Sequence, residues 1–291
     1  IPASVEHLGK NVYMRCTGMS VAAIRCQLTE MPDGMFDHCT SLTKITMADS
    51  IKNNIRRIGV GTFYDCPKLT TFAFGDSVAK IDACGFMGCT GLGKVTLPES
   101  VKHIGHDAFS ACQKMSEINI PANVDSIGDH AFKDAHALKQ ITMSDSVKYL
   151  GEQAFAYCQN LTSAKISKSI TEIRFKTFAG CTKLTDFTLS PNITIIADSA
   201  FQGVKCFDTL KLSNLNSVGD YAFADCGKLK YVYMPEKLRK IGNYTFKGDS
   251  IEQYYVEWTS APAIKSGYFT YCDTLFIPEG TSYKFRTGWR E

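Results

Sequence analysis

Hydrophobic positions along this chain recur on two scales. Over a few residues they alternate with polar ones: Val95/Leu97, Ile118/Ile120, Ile141/Met143 and Phe187/Leu189 each enclose a single polar residue. That is the period of a strand with one buried face. Over longer stretches an aromatic returns at a nearly fixed step, at Tyr13, Phe36, Phe63, Phe86, Phe109, Phe132, Phe155, Phe178, Phe201, Phe223, Phe246 and Phe269. The step is 23 residues except for 27 between Phe36 and Phe63 and 22 between Phe201 and Phe223. A fold built on long-range connections has no reason to repeat such a spacing. A solenoid does, because each coil places the same side chain in the same slot of one continuous core.

The segment Leu92 to Cys112 shows one coil cleanly. Its strand Val95–Leu97 is followed by Pro98, as Ile120 is by Pro121 and Met234 by Pro235, a place where a missing N–H breaks no ladder. A second short extended piece, Val101 to Ile104 here and Val147 to Leu150 two coils later, ends at a glycine that permits the next turn. The stretch Asp107 to Cys112 is expected to form one or two helical turns anchored by Phe109. Stacked coils place parallel strands about 4.8 Å apart, so twelve would make a curved body roughly 55 Å long. The longer interval is expected to be absorbed at Ile51 to Asn54 in a surface turn, and the shorter one by a local bulge.

Bulk properties narrow the partners. The chain has 291 residues and a net charge of +3, with 32 basic and 29 acidic residues interspersed. No basic block exceeds Arg56-Arg57, so nucleic acid is not an expected partner. No apolar run approaches the length of a membrane span. A monomer is expected. Ile1-Pro2-Ala3-Ser4-Val5 matches Leu97-Pro98-Glu99-Ser100-Val101, so the chain opens part-way through a coil. A mature form or fragment is expected, with any export signal, lipid-anchor cysteine or earlier coils lying outside it.

The repeating set Leu92, Val95, Leu97, Pro98, Ser100, Val101, Ile104, Gly105, Ala108, Phe109 and Cys112, with near copies through Cys272, resembles the BspA-like leucine-rich repeat family. The segment Leu275 to Tyr283, closing on Trp289, looks like the terminal segment of such proteins from gut bacteria. The resemblance implies an α/β repeat solenoid: a right-handed superhelix with a parallel sheet on one face and short strands or helical turns on the other. It implies one solenoid over residues 1–291, with a C-terminal cap at about 273–291. It further implies an extracellular or cell-surface protein that binds host or microbial ligands, without a shared catalytic set. Departures at Ala135, Val204 and Asp249 (for Cys) and at Arg174, Ala197 and Lys265 (for Gly) affect local turn shape.

Candidate chemistry is sparse. Of twelve cysteines, Cys16, Cys39, Cys66, Cys89, Cys112, Cys158, Cys181, Cys226 and Cys272 fall three residues after the repeat aromatic. They are expected to be a ladder of buried free thiols, because the slot also accepts Ala, Val and Asp. Cys26, Cys84 and Cys206 lie off it and are the better candidates for any disulfide. No C-x-x-C pair suggests zinc. His38 beside Cys39 is a weak thiol–imidazole candidate, since adjacent residues point apart and Cys39 belongs to the ladder. His103, His106 and His130 fall on neighbouring coils and could converge on a metal, although such histidines are more often merely solvated. Asp33 and Asp37 sit in turns with no cleft to raise either pKa. No metal, cofactor or catalytic residue is assigned, and no enzymatic activity is expected.

The outward strand positions are more informative. If Val95 and Leu97 point inward, Lys94 and Thr96 point out, and the same columns elsewhere are mostly small and polar. The last coils differ, with Tyr231, Tyr233, Tyr255 and Phe276 expected in one patch. Rigid exposed aromatics suit a protein or glycan ligand. The other reading has the patch covered by the tail, with Tyr283, Phe285 and Trp289 folding over it. Two functions follow: a non-enzymatic surface or secreted binding and adhesion protein, or a structural spacer of a larger surface protein.

Overall fold

The computed structural model describes residues 1–258, 263–264 and 274–278. A stack of aromatic rings runs through it from Tyr13 to Phe246. Successive centroids lie 5.0 to 6.0 Å apart, and neighbouring planes differ by no more than 21°. Every phenyl ring from Phe36 to Phe246 in this column is buried. The twelfth ring, Phe269, lies outside the described residues, as do Cys272 and the expected cap aromatics Tyr283, Phe285 and Trp289.

Strand pairing is parallel throughout, and each partner sits one coil away in the same slot. Val95 aligns with Ile118, Ile141 with Ala164, and Val232 with Tyr254. Inward members of these strands are buried and their neighbours face out, as the alternation predicts. The more continuous ladders are formed by the second, two-residue extended pieces. One runs over six strands from Glu30–Met31 to Tyr149–Leu150, and another over five from Glu172–Ile173 to Ala263–Ile264. The main strand face is instead divided into short sheets of two, two, two and four strands.

The third side of the coil departs from the expected helical turns. The Asp107 to Cys112 segment is a run of tight turns in which alternate N–H groups have different destinations. Ala108, Ser110 and Cys112 close local turns onto Gly105, Asp107 and Phe109, while Asp107, Phe109 and Ala111 donate to Asp129, Ala131 and Lys133 of the next coil. Aiming every second N–H sideways requires a left-handed residue on either side of the aromatic. Accordingly φ is positive at Asp107 (52°) and Ala111 (57°), and at both equivalent positions in every coil from Asn11 and Arg15 to Tyr244 and Gly248. A helix would have left those inter-coil partners unused, so the stack decides the backbone. The single α-helical turn among the described residues, Asp49–Lys52, takes up the four-residue insertion, and its Ile51 is buried, so the insert adds to the core as well as to the surface. The one-residue deletion leaves the spine aligned, with Phe201 and Phe223 5.5 Å apart and 7° from parallel.

On the turn side, Tyr221 and Tyr244 stack at 5.3 Å, whereas on the strand side Tyr233 and Tyr255 stack at 4.3 Å and Tyr255 and Phe276 at 4.7 Å. The outward rings of the last coils thus stack more closely on the strand side.

Candidate functional site

The outward columns of the strand face converge on aromatics at its C-terminal end. Strands Tyr231–Met234, Gln253–Val256 and Thr274–Phe276 pair so that Tyr233, Tyr255 and Phe276 share one register position. Because the strand period turns these side chains away from the core, their rings stack on one another. Both contacts are within 4° of parallel, and Phe276 is 44% exposed. Lys211 Nζ lies 5.7 Å from the Tyr233 ring centre, over the face at the N-terminal end of the stack. The hydroxyl of Tyr255 donates to Gln253 Oε1 at 2.6 Å.

Tyr231, expected in the same patch, stands in the adjacent column, aligned with Gln253 and Thr274. Two residues along a strand share a face without sharing a column. Its hydroxyl donates to Glu252 Oε2, while Lys230 pairs with Oε1 of the same carboxylate at 2.8 Å. The Lys230 ammonium holds the Glu252 carboxyl below its usual range, and Glu252 raises the Lys230 ammonium in return. The negative charge of Glu252 also raises the Tyr231 phenol. The result is a stack of three rings bordered by Lys211 on one side and by a Tyr231–Glu252–Lys230 network on the other. Sequence reasoning did not assign Lys211, Glu252 or Lys230 to the site, although charged residues flanking an outward aromatic column were there to be read.

A second feature of this face is a shallow depression of about 590 Å³ where the ladder is interrupted between Glu117–Ile118 and Gln140–Thr142. Lys94 and Glu117 form an ion pair at 2.9 Å across its rim. Asn119 bridges the neighbouring coil through its side chain, accepting from Leu97 N–H and donating to Leu97 C=O.

The remaining candidates separate clearly. All eleven described cysteines are free. The ladder thiols donate to a backbone carbonyl one coil earlier, Cys66 to Phe36, Cys89 to Phe63 and Cys158 to Phe132. Burial pushes Cys39 up to about 11 and Cys181 up to about 12, so these are inert thiols. Off the ladder, Cys26 is buried and Cys84 and Cys206 are half-buried. Cys39 donates to Tyr13 C=O and His38 contacts Asp37, so no thiol–imidazole pair forms. Asp33 pairs with Lys10 and is held at about 2, unsuited to acid–base work at neutral pH. His103 turns to Ser126 and Asp125, while His106 and His130 meet at Asp107.

A family of BspA-type leucine-rich repeat regions matches this chain in six copies, over residues 1–55, 56–184 and 149–276. The comparison with curated proteins returns no match. Among solved structures the chain is similar to a leucine-rich repeat protein from Eubacterium ventriosum at 18% identity, covering 91% of this chain and 86% of that one with a TM-score of 0.51. It is similar also to one from Bacteroides ovatus at 22% identity, with 87% and 85% covered and a TM-score of 0.46. A leucine-rich cell surface protein from Faecalibacterium prausnitzii shares 22% identity, with 88% and 86% covered and a TM-score of 0.36. At 18% identity the Eubacterium ventriosum match is a likeness of fold alone. With repeats recognised from residue 1 to residue 276 and a ring column passing through the described coils, the chain belongs to the BspA-type leucine-rich repeat family.

Proposed function

We propose that this protein is a non-enzymatic binding and adhesion protein displayed outside the cell, and that its ligand docks on the outward strand face at Tyr233, Tyr255, Phe276 and Tyr231. The observation that carries this reading is the ring column itself. Three aromatics stand outward on rigid strands, where the outward positions of earlier coils hold residues such as Lys94, Thr96, Glu117 and Asn119. Aromatic anchors ringed by satisfied polar groups are the composition of a protein-contact hot spot. A protein ligand suits the column better than a sugar. Four of the six ring faces are spent on each other and a fifth lies under Lys211, which leaves mainly edges and hydroxyls to the partner, whereas a sugar stacks on a free face. No helix of the described residues is long and apolar enough to cross a membrane. Surface display draws its support from the family and from the named cell-surface neighbour.

The test is solid-phase binding to a panel of extracellular-matrix proteins and to a glycan array, using wild type and the double variant Tyr233→Ala, Tyr255→Ala. Both side chains point away from the core, so the variant should melt like the wild type. Protein binding that falls at least about tenfold supports the reading, since anchors of this kind contribute 2 kcal/mol or more. Unchanged binding removes the column as the site. Wild type that binds nothing on either panel favours the structural spacer.

A further inference from the structure

On the turn side, where no ligand has been placed, two histidines and a carboxylate from adjacent coils converge. We propose that His106, Asp107 and His130 form a binding site for a divalent transition metal of the zinc class. His106 Nε2 lies 2.7 Å, and His130 Nδ1 3.6 Å, from the same oxygen, Asp107 Oδ2. The three donor atoms all lie within 4.8 Å of one another, and among the described residues no other His, Cys, Asp and Glu side chains form such a group. A tetrahedral zinc ion with bonds near 2.0 Å needs donors about 3.3 Å apart, so modest side-chain rotation closes the set.

The backbone holds these ligands in place. Asp107 and His130 occupy the same left-handed slot in consecutive coils, at φ 52° and 58°. Their N–H groups are fixed to Asp129 and Glu152 of the following coils, at 2.9 and 2.8 Å. The Gln153 amide lies 2.9 Å from the Nε2 of His130, and with its oxygen turned to that nitrogen it accepts the Nε2–H and leaves Nδ1 free to bind. A second-sphere acceptor on the far ring N–H is the arrangement that orients a metal-binding imidazole. The rings of His106 and His130 are 4.9 Å apart and nearly perpendicular, so both present nitrogen edges to one volume. Two imidazoles and one carboxylate select zinc, copper or nickel over magnesium or calcium, which prefer all-oxygen shells. Three protein ligands leave a fourth position for water or for a donor from a partner. The half-buried thiol of Cys84 occupies the equivalent slot one coil earlier, but is not among the converging donors.

The test titrates EDTA-stripped, reduced protein with zinc chloride in a calorimeter, and with magnesium chloride as the control. Wild type should bind about one zinc with no heat from magnesium, and its melting temperature should rise with added zinc. His106→Gln and His130→Asn should each weaken zinc at least about tenfold, while Cys84→Ser should leave it unchanged. Asparagine tolerates the left-handed backbone, and His106 is exposed, so both variants should melt like the wild type in EDTA. If His130→Asn fails to fold, His106→Gln alone decides. No zinc binding by wild type, wild-type affinity in His106→Gln, or loss of binding in Cys84→Ser overturns the proposal.

Discussion

The thiol of Cys112 donates to the backbone carbonyl of Phe86, one coil earlier, across 3.2 Å. Cys112 therefore does more than fill a small apolar slot, because it ties the turn of one coil to the ring-bearing residue of the coil before. Replacing it with alanine should cost about 1 to 2 kcal/mol, from one lost hydrogen bond and a small cavity. Urea unfolding of Cys112→Ala against wild type measures this. A change below a few tenths would mean that the sulfur contact is incidental. The buried thiols should also resist alkylation in the native state and react after unfolding, which mass spectrometry reads directly.

Ala111 carries a positive φ of 57° with no side-chain reason for it. Glycine takes that conformation freely, and the equivalent slot is Gly88 one coil earlier and Gly180 three coils later. Ala111→Gly should therefore be neutral to stabilising by up to about 1 kcal/mol, against the usual penalty for such a change. Ala111→Val should destabilise more strongly, because a β-branched side chain clashes in the left-handed region. Thermal melts of the pair give the signs, and a stabilising valine would contradict the reported backbone.

These left-handed slots mark where the sequence was and was not legible. The ring column, the inward alternation and the thiol ladder follow from one periodicity, because each is a property of equivalent positions. The turn geometry does not, since Ala108-Phe109-Ser110-Ala111-Cys112 reads as a helix until a neighbouring coil offers carbonyls to alternate N–H groups. A faint signal existed: Gly34, Gly61, Asp107 and His130 before the ring, and His38, Asp65, Gly88 and Asp134 after it, are types that tolerate positive φ. The aromatic patch was legible as a group of outward side chains, but not as a stack, because stacking depends on register between coils. Asp107 went unnoticed beside His106 and His130 for the same reason.

Asp249 occupies a cysteine slot, and its carboxylate is buried. Oδ1 accepts from Gly227 N–H, whereas Oδ2 has no hydrogen-bond partner among the described residues. Burial raises its carboxyl from 3.8 to about 7. A carboxyl raised on folding stabilises the folded state only while protonated, so its contribution falls between about pH 4 and pH 7 and is gone above. At about 1.4 kcal/mol per unit the change is on the order of 4 kcal/mol. Asp249→Asn keeps an acceptor and removes the charge. It should match wild type near pH 4 and become the more stable protein by pH 8, as read by denaturant melts across that range. Parallel pH profiles for the two proteins would show that the carboxylate is solvated.

Phe132 sits midway along the spine, 5.7 Å from Phe109 and 5.2 Å from Phe155, fully buried between them. In a solenoid each coil is stabilised only by its two neighbours, so removing one ring weakens two interfaces at once. Phe132→Ala should cost about 3 to 5 kcal/mol. Its consequence should also be spatial, because a weak joint in a one-dimensional stack lets the two halves unfold separately. The tryptophans, Trp258 and Trp289, lie in the C-terminal part of the chain, so their fluorescence reports that half alone, whereas far-ultraviolet circular dichroism reports every coil. In wild type the two signals should share one urea midpoint. In Phe132→Ala they should part, with a circular-dichroism transition that broadens into two steps. Coincident, merely shifted transitions in the variant would mean that coupling reaches past nearest neighbours, and the coils would then have to be treated as one cooperative body.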